Sequence, residues 1–86
     1  MNPEWDEAAY DALADIWVRV TPDERDRVEA AVNRANRDLR VDPESRGESR
    51  AGNVRVLIAD PVTFWFRVLP GGVARVFHVH HIRRPA

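Results

Sequence analysis

The apolar residues of this chain change their spacing once, near residue 50, and that change limits the folds open to it. Before it, Ala9, Leu13, Ile16, Trp17 and Val20 recur at helical spacing among acids. Val28, Val32, Ala35 and Leu39 repeat the pattern to about Arg40. After it, Val54–Ala59, Val62–Leu69 and Val73–Ile82 are runs rich in Val, Ile, Phe and Trp, parted by Asp60-Pro61 and Pro70-Gly71-Gly72. The expected fold class is therefore α+β, an antiparallel helical hairpin followed by a three-stranded antiparallel meander. With 86 residues, the chain has room for one core and one domain, spanning residues 1–86.

Local signals place the elements. The first helix runs from about Asp6 to Val20, and both Asn2-Pro3 and Asp6 are good starts for it. Thr21-Pro22-Asp23-Glu24 has the form of a capping box with proline in the first turn, which predicts that a second helix opens there. So short a link lets the two apolar faces meet. Trp17 falls on the helical stripe and is expected in the core, and Trp5 is expected to pack. Asp42 to Asn53 reads as a loop, with proline, glycines, serines and charges. On the middle strand Val62, Phe64, Phe66 and Val68 share one face, and Thr63, Trp65, Arg67 and Leu69 share the other. The last strand mixes apolar and basic residues on both faces, so its buried side stays open.

Charge divides the chain as sharply as period does. Up to Glu44 there are 12 acids against 6 arginines, a balance of −6, and from Ser45 onward 2 acids against 7 arginines, a balance of +5. The basic half, with His78, His80 and His81, suits a polyanion such as nucleic acid. All basic side chains apart from the histidines are arginine. Arginine binds phosphate but is a poor proton shuttle, so any general base must be His, Asp or Glu. The chain has no cysteine, which excludes disulfides, thiol nucleophiles and thiolate metal sites. No apolar run is long enough for a membrane helix and no leader pattern opens the chain, so a cytoplasmic protein without membrane contact is expected.

Metal-free RNA cleavage needs a base for the ribose 2′-hydroxyl, a cation for the phosphorane-like transition state and an acid for the leaving oxygen. Arg55 and Arg67 sit on adjacent strands as candidate phosphate ligands. His80 or His81 can transfer protons near neutral pH. Trp65 is placed to stack a base, and Arg50, Arg75, Arg83 and Arg84 complete the basic set. His78 and His80 share a strand face and have the spacing of a metal chelate, but no acid lies nearby in sequence to complete a site. No metal or other cofactor is expected.

The stretches YDALADIW, RGESR, RVLIADPVTFWFRV and VFHVHHIRR, with the DP after the second helix, together resemble the RelE/ParE superfamily of bacterial type II toxins. The resemblance implies a leading strand within residues 1–5, two helices and an antiparallel sheet. It implies a toxin that cleaves mRNA on the ribosome or, alternatively, one that poisons DNA gyrase, neutralised in either case by a cognate antitoxin protein. An inactive relative that only binds a partner is a third reading. Under the resemblance Glu48 matches the acid some members use as base, and His81 with Arg84 matches the basic end of the last strand, giving Arg55, Arg67, His81 and Glu48 as the catalytic set. The acidic helical face also suits an arginine-rich antitoxin segment or a second copy of the chain, in a homodimer or a toxin–antitoxin hetero-oligomer. Three features differ from the usual pattern: the leading strand has little room, lysine is absent, and the chain's single tyrosine, Tyr10, lies in the first helix.

Overall fold

The computed structural model describes residues 1–82; Arg83 and Arg84 of the expected basic set lie outside the described residues. A two-residue strand, β1 (Glu4–Trp5), leads into helix α1 (Glu7–Arg19). Asp6 holds the N-cap position with extended backbone, and its carbonyl accepts from the Ala9 and Tyr10 N–H groups, which settles the start of the helix. Helix α2 (Pro22–Arg40) follows after Val20 and Thr21. Its N-cap is the expected one, with the Glu24 N–H donating to Thr21 Oγ1 at 3.2 Å. Thr21→Ala is therefore expected to cost about 1 kcal/mol while Thr21→Ser restores most of it, readable as a shift in the urea midpoint.

The helices pack on the sheet more than on each other. α1 lies along the last strand, and α2 crosses the three long strands. Ala9, Ile16, Val20, Val28, Ala31, Ala35 and Leu39 form one core with Ala59, Val62, Phe64, Phe66, Ala74, Val76 and Val79. The short link thus brings two apolar stripes onto a common floor instead of closing them on one another. Trp17 departs from expectation: it is 36% exposed, with the Arg25 guanidinium 5.6 Å from its ring centre. Ile16 takes the buried position, and one residue further along a helix points about 100° away. Trp5 does pack, stacked on Tyr10, edge-on to Phe64, and donating through Nε1 to Asn36 Oδ1 at 3.1 Å.

The sheet has five strands, not three. The long strands β3 (Val54–Ala59), β4 (Val62–Leu69) and β5 (Val73–His81) form the expected meander at its centre. β1 adds in parallel to β5, and a further two-residue strand, β2 (Glu48–Ser49), adds antiparallel to β3, for the order β1-β5-β4-β3-β2. The stretch read as loop therefore holds a 3-10 turn (Pro43–Ser45) and an edge strand. β1 falls within residues 1–5, where the resemblance implies a leading strand, whereas edge pairing of two residues leaves no periodicity in a sequence, which is why β2 falls in a stretch that reads as loop. At the β4–β5 turn the Gly72 N–H donates to the Leu69 carbonyl around Pro70 and a positive-φ Gly71, the residue pattern of a type II turn.

A β-bulge explains the last strand. Trp65 pairs with His78 but Phe66 pairs with Val76, so Phe77 is the extra residue on β5. Ala74 and Val76 are buried before it and Val79 after it, so the inward set changes from even to odd numbers. Phe77 and His78 consequently both face away from the helices. No helix among the described residues is long and apolar enough to cross a membrane.

Candidate functional site

Residues directly opposed on neighbouring strands project to the same side of a sheet. Phe66, fully buried beneath the helices, faces Arg55 on β3 and Val76 on β5. The neighbouring rows therefore face outward, onto a side that carries neither helix. One outward row runs Glu48, Val56, Trp65, His78 across four strands. The next runs Val54, Arg67, Arg75, Glu4, and a third runs Ile58, Thr63, His80. Between the polar groups the face is apolar: Ile58 is 56% exposed, and Val56, although only 3% exposed, stands apart from the main core.

The sequence candidates divide between the two faces. Glu48, Trp65, Arg67, Arg75 and His80 share the outer one. Arg67 is exposed, its guanidinium 4.4 Å from the centre of the Phe77 ring, an arrangement that holds the charge over an aromatic face. Glu48 is exposed and paired with Arg50 at 3.2 Å. Arg75 is tied to the leading segment, bonded to Asp6 and, at 3.0 Å, to Glu4. The hydrogen bond and charge of Asp6, with a smaller contribution from Glu4, raise its pKa above the ordinary arginine value. Arg75 thus fastens β1 to β5 while adding little free charge to the face.

Arg55 and His81 lie elsewhere. Arg55 and Arg67 are on adjacent strands but opposite faces, so the structure does not bring them onto one phosphate. The Arg55 Nε donates to the Arg46 carbonyl at 2.9 Å and its terminal nitrogen to the Gly47 carbonyl at 3.2 Å, holding the segment before β2. His81 points to the helix side, where its Nε2 donates to Glu24 Oε1 at 2.6 Å. A carboxylate only accepts, which fixes the proton on that ring nitrogen. The Glu24 side chain, the expected second arm of the capping box, is thus committed to the end of β5. The pair borders an open cleft of about 920 Å³ shared by Arg19, Arg27, Thr21 and Pro61.

Two outer-face residues are absent from the sequence-derived site: Phe77, which seats Arg67, and His78, which enters there only as part of the basic half and as a possible metal ligand. Sheet spacings put His78 roughly 8 Å from Arg67 between Cα atoms and His80 roughly 14 Å. His78 is therefore the imidazole nearer the arginine, with Trp65 between them in the pairing. Among the described residues no group of three or more His, Cys, Asp or Glu side chains is assembled to enclose a metal ion. No protein-family model matches the chain, and no curated protein matches it.

Proposed function

We propose that this chain is the toxin of a bacterial type II toxin–antitoxin system, RelE/ParE-like in architecture, acting on mRNA held by the ribosome. The observation that carries the reading is the uncovered sheet face on which Glu48, Trp65, Arg67, His78 and His80 come together. The order of elements supports it too: a leading strand, two helices and a sheet built from the C-terminal half agree with the architecture that the sequence resemblance implies.

The chemistry this face suits is transesterification. Trp65 stacks an unpaired base and so brings the neighbouring phosphate over Arg67. The ribose 2′-oxygen attacks phosphorus, Glu48 takes its proton, the bond from phosphorus to the 5′-oxygen breaks, and His78 or His80 gives a proton to that leaving oxygen. Arg67, oriented by Phe77, offsets the charge that builds on the phosphoryl oxygens. A cognate antitoxin laid over the same face silences the site.

A second reading, gyrase poisoning by binding alone, draws on one observation: Arg55 and His81 are hydrogen-bonded on the helix side of the sheet, which leaves two of the four sequence-derived catalytic candidates away from the outer face. Induced expression in a bacterial host separates the two. The nuclease reading expects growth arrest with new cuts inside translated messages, lost in Arg67→Ala. Arrest with intact messages and a DNA-damage response establishes gyrase as the target. Normal growth contradicts both.

A further inference from the structure

Helix α1 carries a second apolar stripe, on its exposed flank. Tyr10, Ala14, Trp17 and Val18 fall within about 100° of one another around the helix axis, and Tyr10 and Val18 are left 58% and 69% exposed. Ala9 and Ile16 supply the buried side of the helix, so this stripe is surplus to the fold. Acids edge it: Glu7 and Asp11 have no ion-pair partner among the described residues, and Asp15 is paired with Arg19. The Arg25 charge is held at Trp17, beyond that edge. The outer sheet face, on the other layer, is also apolar around Ile58 and Trp65, but it carries Arg67 and the imidazoles of His78 and His80. Arg67 has no acid partner among the described residues, and the Glu48 carboxylate on that face is taken up by Arg50.

We propose that these two faces bind each other between copies of this chain, the helix stripe of one molecule on the outer sheet face of the next. Contiguous exposed apolar side chains rimmed by charge mark an interaction surface, and this chain has two of them. They lie on opposite layers of the fold, so no molecule can bring its own two together. Charge decides the pairing. Either face set against its own copy joins patches of one sign, whereas the stripe set on the sheet brings the Glu7 and Asp11 edge to Arg67. Such opposed potentials orient an encounter and suppress the mismatched ones. The contact is heterologous, so a dimer keeps one free face of each kind, and association continues to a ring or an open chain of copies. It is independent of the chemistry proposed for the outer face.

Sedimentation velocity of the full chain over a concentration series tests this. Species larger than the monomer are expected to grow with concentration and to recede in high salt, which screens exposed charges. Val18→Glu alters only the helix stripe and Ile58→Glu only the sheet face, both at exposed positions, and circular dichroism verifies that each variant is folded. Alone, each variant is expected to self-associate at least about tenfold more weakly than the wild type, because every contact needs one face of each kind. Mixed, they are expected to form a one-to-one complex that grows no further, through the intact sheet face of the first and the intact stripe of the second. A wild type that stays monomeric to about 1 mM, the weak end of specific binding, overturns the association. So does wild-type association by either variant alone, or a mixture that forms no complex.

Discussion

Replacing Phe66 by alanine is expected to lower the free energy of unfolding by about 3–5 kcal/mol. Phe66 and Phe64 are the two largest fully buried side chains, at 0% exposure. They sit in the middle of β4 between the sheet and both helices, where no single neighbour can collapse into the space. A chain of 86 residues has roughly 4–13 kcal/mol to lose, so the substitution removes a large share of the total. Urea denaturation measures the loss directly. The control is Ile58→Thr on the outer face of β3, where a change within about 0.5 kcal/mol is expected. Equal losses at both positions would mean that the outer face is covered as deeply as the core.

Gly47→Ala is expected to destabilise by roughly 2–4 kcal/mol. Gly47 has φ +68°, in the left-handed region that disfavours side chains, and an added Cβ would fall on the Val56 carbonyl oxygen and 2.9 Å from its carbonyl carbon. Both opposing groups are backbone, so neither can swing aside. The strain should release β2 from β3 and with it the position of Glu48. Gly52 also has positive φ, but open space surrounds it, so Gly52→Ala should lose only the conformational part, about 1–2 kcal/mol. Comparing the two variants by thermal unfolding isolates the clash; equal midpoints would show that the β2–β3 junction yields.

How much of this was legible in the sequence follows from the physics of each element. Long amphipathic stretches announce themselves, and β3 and β4 begin and end where their turn residues place them. The α2 start was readable because threonine and proline act locally. Of the two-residue strands, β1 was expected from the family resemblance and not from periodicity, and β2 was not expected at all, because such pairing is decided by distant partners. The largest obstacle was Phe77: a single bulge residue inverts the face of everything after it, so alternation along β5 could not tell His78 and His80 from His81. Opposite projection likewise hid the separation of Arg55 from Arg67, which depends on register and not on strand adjacency.

The claim that the outer sheet face is the working surface is tested most directly by adding purified chain to ribosomes translating a defined message and mapping the message ends. The account predicts cleavage by the wild type and by His81→Gln, and a loss of about a hundredfold or more in Arg67→Ala. Full cleavage by Arg67→Ala, with loss in a folded His81→Gln, would contradict it.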